Sequence, residues 1–203
     1  MFLIYDDLCS NIEIKNKFIS KFNSTINNLF ISKFINDINC LLFIFEYGYH
    51  KVVKLLLKDK RIDPSDENNS AIQYASYYGY YRVVKLLLKD KRIDPSDENN
   101  SAIKWASENG YYKVIKLLLK DKRVDPSDSY NYAIRSASVN GYYKIVKLLL
   151  KDKRVDPSND NNYAIRWAFK NKYYKIVKLL LKDKRIDKND QIIKDIINKM
   201  KNI

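Results

Sequence analysis

The chain is short of the residues that usually punctuate or staple a fold: its 203 residues include four glycines, four prolines, two cysteines and one histidine. Cys9 and Cys40 stand in apolar stretches with no partner at a metal-binding spacing. That argues against a disulfide or zinc framework and for a reducing compartment. Four glycines leave no phosphate-cradling loop. His50 has no recurring Asp or Ser partner for a general-base relay and reads as an ordinary helix-start residue. Apolar runs are short as well, none approaching the ~18 uncharged residues of a membrane-spanning helix. Met1-Phe2-Leu3-Ile4-Tyr5 meets Asp6-Asp7 without a basic leader, so neither export nor membrane insertion is expected. These absences predict an intracellular, cytoplasmic protein without catalytic residues, cofactor or metal.

What is present is periodic. Pro64, Pro95, Pro126 and Pro157 recur every 31 residues. The string Val-Val-Lys-Leu-Leu-Leu-Lys-Asp-Lys-Arg at Val52 returns from Val83, Val114, Ile145 and Ile176 with only Val and Ile exchanged. Such a period belongs to helical solenoids and excludes heptads and collagen triplets. Within Ser101 to Asn131, Ala102, Ile103, Trp105 and Ala106 predict a first helix that Gly110 ends. Val114, Ile115, Leu118 and Leu119 then place a second apolar stripe at helical spacing, and Leu117 widens it, as expected of a helix wedged between neighbours. All these leucines are expected in the core. Asp125-Pro126-Ser127-Asp128 reads as a type I turn, and Asn131, like Asn69, Asn100 and Asn162, stands at or beside the next N-cap. The acids from Asp63 to Glu67 lack the Gly and distal Glu of a calcium loop, so turn chemistry explains them.

These residues resemble the ankyrin repeat. The family's Thr-Pro-Leu-His-x-Ala-Ala, Gly-His and Val-Val-x-Leu-Leu-Leu elements stand here as Ser70-Ala71-Ile72-Gln73-Tyr74-Ala75-Ser76, Gly79-Tyr80 and Val83-Val84-Lys85-Leu86-Leu87-Leu88. The unit is similar to a shortened, Asp-Pro-bearing variety common in giant viruses and amoebae, and the chain's richness in Lys, Asn, Ile and Tyr suits an AT-biased genome. The resemblance implies an all-α ankyrin-repeat solenoid of helix-turn-helix units with short turn or hairpin linkers. It also implies a non-enzymatic scaffold for protein partners. The family's His is replaced by Gln73, Lys104, Arg135 or Arg166, so its usual hydrogen bonds need a substitute.

The ends leave the register. Cys40, Leu41, Ile44 and Gly48 align with Ala71, Ile72, Ala75 and Gly79 among bulky Phe43 and Phe45, a modified first unit. Ser10-Asn11-Ile12-Glu13 reads as a capping box and Ile26 to Phe34 as a second helical run. At the far end Lys172 replaces Gly and Lys188 replaces Pro, after which Ile192, Ile193, Ile196, Ile197 and Met200 form a one-sided stripe. The expected organisation is a helical capping segment (1–37), the array (38–187) and a C-terminal capping helix (188–203).

Two surfaces are candidate binding sites. The units differ mainly on one face of the first helix: Gln73, Tyr74, Tyr77 and Tyr78 correspond to Lys104, Trp105 and Glu108, then to Arg135 and Val139, then to Arg166, Trp167 and Lys170. By resemblance this is the concave side, and Tyr, Trp and Arg are enriched in interface hot spots; partial burial of the Trp residues and drift at exposed sites is the plainer explanation. A net charge of +14 comes with basic residues at fixed offsets, among them Lys54, Lys85, Lys116, Lys147 and Lys178. They form a ridge diluted by Asp90, Asp121 and Asp152, either a solvated helix back or a site for nucleic acid or an anionic membrane. The leading expectation is a monomer that binds a protein through the concave face, a host protein if the chain is viral.

Overall fold

The computed structural model describes residues 50–60 and 62–201, all within one compact unit, residues 42–203. The expected segment 1–37, with its capping box and second run, lies outside the described residues, as do Cys9, Cys40 and the modified first unit up to Tyr49.

Ten helices and no strand occur among the described residues: α1 (His50–Leu56), α2 (Asp66–Tyr77), α3 (Tyr81–Leu87), α4 (Asp97–Glu108), α5 (Tyr112–Leu118), α6 (Asp128–Val139), α7 (Tyr143–Leu149), α8 (Asn159–Lys170), α9 (Tyr174–Leu180) and α10 (Gln191–Met200). First helices α2, α4, α6 and α8 pack in sequence, second helices α1, α3, α5, α7 and α9 do likewise, and each first helix packs on the second helix that follows it. This is an all-α solenoid. Its core repeats as the sequence does: Ala102, Ile103 and Ala106 of α4 and Val114, Ile115 and Leu118 of α5 are at most 1 % exposed. Alanines four apart give the first helix a shallow flank that its neighbour can approach closely. The expectation for the leucines needs correcting, because Leu117 and Leu119 are only half-buried. The second helix is two turns long and ends at Leu118, so Leu119 is already its C-cap.

The helix-to-helix turn is compact for a stated reason. Tyr80 donates its backbone N–H to Ala75 O (2.8 Å) and Gly79 to Ser76 O (3.3 Å), a Schellman closure with glycine at φ +76°. Tyr81 N–H then donates to Gly79 O (2.8 Å) around Tyr80 at φ −77°, ψ 69°, an inverse γ-turn that starts the second helix at once. Glycine is required twice over. A Cβ on Gly110 would lie 2.7 Å from the ring of Tyr142 in the next unit, and its φ is +82°. In the last unit no such tyrosine follows, and Lys172 takes the position at φ 63°.

The linker is a turn, not a hairpin. Asp128 N–H bonds Asp125 O (3.4 Å) with Ser127 at φ −91°, ψ −7°, the expected type I turn. Asp125 Oδ1 also accepts from Ser127 N–H (2.9 Å) and Oγ (2.6 Å). Three consecutive left-handed residues follow in every unit: Glu67 to Asn69, Glu98 to Asn100, Ser129 to Asn131 and Asp160 to Asn162, with φ between 49° and 60°. Regular helix begins only after them, at Ser70 and its counterparts. Asn beside the N-cap was the expectation; its side chain instead leaves its own helix. Asn100 is buried, accepts Asp125 N–H at Oδ1 (2.7 Å) and donates Nδ2 to Asp128 Oδ2 (2.7 Å) of the following unit. Asn69 makes the same two bonds to Asp94 and Asp97.

The last unit is closed by α10, which packs on α8 through buried Ile193 and Ile196. Asp190 starts it by accepting Ile193 N–H (3.1 Å).

Two substitutions test the packing. Leu118→Ala, at a fully buried site, should cost about 2–5 kcal/mol in guanidinium melts; a loss below about 0.5 kcal/mol would mean that the helix face is misassigned. Gly110→Ala combines left-handed strain with a clash against Tyr142 and should cost about 2–5 kcal/mol. Lys172→Gly keeps the left-handed φ of 63° that glycine adopts freely and should not destabilise the array by more than about 0.5 kcal/mol in the same melts.

Candidate partner-binding surfaces

The first-helix face is tied together across units. Tyr74 and Tyr77 of α2 meet Trp105 of α4 at ring-centroid distances of 6.2 and 5.7 Å, the latter edge-on, and Tyr78 sits edge-on to Tyr77 at 4.9 Å. Trp105 is half-buried, while Tyr74 and Tyr77 are 36 % and 42 % exposed. The Trp thus packs as well as presents. Farther along, Glu108 accepts the hydroxyl of Tyr132 (2.9 Å). Arg135 pairs with Asp160 and lies 4.7 Å above the ring of Tyr163. Tyr163 in turn reaches Trp167 (5.7 Å), over which the Lys170 ammonium sits at 4.1 Å.

The remaining predicted residues divide. Gln73 is buried and donates to Asn68 O within its own turn. Lys104 donates to Ser129 Oγ (3.1 Å) in the next turn. Val139 is half-buried, its carbonyl accepting Asn171 Nδ2 (2.8 Å). Arg166 is half-buried, with a buried Nε lacking a partner among the described residues. Sequence comparison missed Tyr132, Tyr163 and Asp160. The signal was there: Ser70 and Ser101 become Tyr132 and Tyr163 at one repeat position, outside the four positions compared. It also missed Tyr130, 78 % exposed at a turn tip with φ 57°, where the other units have Asn.

The opposite face is basic. Lys54, Lys85, Lys116, Lys147 and Lys178, one on each second helix, are all exposed. The arginine that ends each Lys-Asp-Lys-Arg string, by contrast, is a structural staple. Arg123 grips Asp121 with Nε (3.0 Å) and Nη2 (2.7 Å) and sends Nη1 to Ile93 O (2.7 Å) of the preceding unit. Arg92, Arg154 and Arg185 repeat the arrangement on Asp90, Asp152 and Asp183. Bonding to these guanidinium groups holds Asp90, Asp121, Asp152 and Asp183 below the usual carboxylate range. At one edge Arg82 donates to the Tyr81 hydroxyl (3.2 Å) and, with Lys113 and Lys85 nearby, holds that phenol below its ordinary value. A shallow cleft between Tyr143 and Tyr173 adds Lys172 and Lys175 to this edge.

Among the described residues no group of three His, Cys, Asp or Glu is gathered as a metal requires, and no helix is long and apolar enough to cross a membrane. Stacked helix pairs, stapled unit to unit and offering two unlike faces, define a repeat solenoid. The chain belongs to the ankyrin repeat family, whose description as ankyrin repeats in three copies matches residues 11–99, 41–130 and 103–192. Comparison with curated proteins returns no match.

The Arg–Asp staple gives a pH test with a defined sign. Asp121 has a depressed folded-state pKa, so its contribution is present above the unfolded value of about 3.9 and is lost as pH falls through the folded value. Arg123→Gln should therefore destabilise the array more at about pH 7 than at about pH 2, the two urea curves converging in acid. An equal loss at both pH values would assign the effect of Arg123 to its bond with Ile93 O alone.

Proposed function

We propose that the array binds a protein partner through the first-helix face and its adjoining turn tips, without catalysing a reaction. Ankyrin repeats generally mediate protein–protein interaction, and the family is typically a non-catalytic scaffold. The observation that carries the reading is the unequal distribution of sequence change. Core residues recur in every described unit and junction residues in every described unit that another follows, whereas the first-helix face passes from a Tyr-Trp cluster to a Glu-Tyr pair, an Arg-Asp-Tyr group and a Trp-Lys stack. Near-identical units can specify one partner only where they differ. Half-exposed rings fixed by cross-unit contacts supply contact area at little entropic cost, as in known hot spots. Tyr130 supports the turn tips as part of the surface, since a bulky left-handed residue that is almost wholly exposed adds nothing to packing.

Replacing Tyr77, Glu108, Arg135 and Lys170 together by alanine should eliminate capture of the protein that the parent captures from lysate. A parallel variant with Lys85, Lys116 and Lys147 changed to alanine should retain it. Glu108 and Arg135 are tied across units, so the first variant should lose about 1 kcal/mol for each of them while still unfolding cooperatively. Loss of the partner only in the lysine variant would move the protein site to the opposite face.

A further inference from the structure

The basic face has a property that the first-helix face lacks: it is the same in every unit. Each second-helix segment with its following turn, such as Tyr112 to Val124, carries five cations and one carboxylate, a net +4. Five copies make +20 against +14 for the chain, so everything else is net −6. The carboxylates do not dilute the ridge as the sequence suggests. In the four described copies that include the arginine, Asp90, Asp121, Asp152 and Asp183 are each consumed by their own arginine. Lys85, Lys116 and Lys147 are exposed and form no ion pair with a described carboxylate.

We propose that this face binds the sugar-phosphate backbone of double-stranded nucleic acid without reading its bases. Lys113 and Lys116 lie about 4.5 Å apart along α5, Lys120 follows directly after its C-cap Leu119, and the same row recurs at the helix-packing interval of about 8–10 Å. The five second helices thus carry a cation grid about 40 Å long, matching roughly a dozen base pairs at one phosphate per 3.4 Å of each strand. A row of identical units suits a polymer of identical charges, and phosphate contacts position without specifying sequence. The described aliphatic side chains of the face are buried or half-buried, and the exposed large hydrophobic residues are all tyrosines. A lipid surface would therefore gain charge contacts but no insertion. Tyr81 does not offer a free stacking platform either, since Arg82 and Lys113 stand 5.9 and 5.2 Å from its ring centroid.

The test is fluorescence anisotropy of the full chain with two labelled DNA duplexes of about 20 base pairs and unrelated sequence, over a salt series. The chain should bind both duplexes equally, with log affinity falling steeply against log salt. Lys85→Glu, Lys116→Glu and Lys147→Glu together should weaken binding at least ~30-fold at about 100 mM salt and flatten the slope by about 3, near 0.9 for each phosphate that a lysine no longer neutralises. The corresponding triple Lys→Gln variant should lie between, and it decides the matter if the glutamate variant does not fold. The alanine variant of Tyr77, Glu108, Arg135 and Lys170 should bind as the parent does, which separates this site from the protein site. No binding at about 50 mM salt, a marked preference between the duplexes, or unchanged affinity in the lysine variants would overturn the proposal. So would retention on phosphatidylserine vesicles without duplex binding.

Discussion

Everything in this array depends on the junction between one unit and the next, because a pair of short helices cannot bury its own apolar surface. Second helices of seven residues and first helices of about two regular turns have too little length to be stable alone. Burial of Val114, Ile115 and Leu118 drives the stacking, but it does not set the register. That is done by three directional interactions at each junction: the buried asparagine on the next unit's Asp N–H, the arginine on the preceding unit's carbonyl, and the tyrosine ring against the preceding glycine. Each of them joins positions at a constant offset, so any slip of one unit would break all three together. A unit shorter than the family's usual period is tolerable because a single left-handed turn, ending in the clamping asparagine, replaces a longer linker.

The fold was legible in the sequence because a period is a long-range signal carried by many residues. The Asp-Pro turn, the helix-ending glycine and the apolar positions each follow from local chemistry repeated in every unit. The left-handed triplet was not legible. Asn and Asp tolerate that conformation, but Glu67, Glu98, Ser129 and Tyr130 do not advertise it. Nor was the role of the asparagine: an Asn ahead of a helix reads as a cap, and only the following unit's backbone shows that its side chain points away. The arginine of Lys-Asp-Lys-Arg was hidden for a similar reason, since a charged residue after a helix satisfies the helix dipole whether or not it also reaches across a junction. Half-burial at Leu117 and Leu119 escaped because it depends on where a two-turn helix stops, which the apolar pattern alone does not mark, and burial at Gln73 because it depends on the left-handed turn whose Asn68 carbonyl it meets.

The last unit shows which residues serve the junction and which serve the unit. Helix-forming and core positions persist there, from Ala164 and Ile165 to Leu180, all fully buried or nearly so. Positions that serve a following unit change: Gly becomes Lys172, the buried Pro becomes exposed Lys188, and the buried Ser becomes Phe169, lying against Tyr174 at 6.1 Å. The side-chain oxygen of Asn162 remains buried without a described partner, a remnant of the clamp where the chain turns into α10 instead. Side chains dispensable where stacking stops are those that stacking requires.

The two faces can be separated by the same logic of repetition. A surface that varies among units while its rings and charges are held by cross-unit contacts is suited to a target that varies along its own length. A surface repeated without change, apart from exchanges such as Arg82 for Lys113, is suited to a uniform one. Solubility alone does not explain the second face, because interspersed signs would serve that purpose and would avoid repulsion between lysines three and four residues apart, at about 0.2–0.5 kcal/mol for each close pair. The aspartates that could have relieved this repulsion are committed to arginine at the junctions. Stability and surface charge are therefore drawn from different residues of one short string: arginine and aspartate hold the stack, and the lysines are left to act outward.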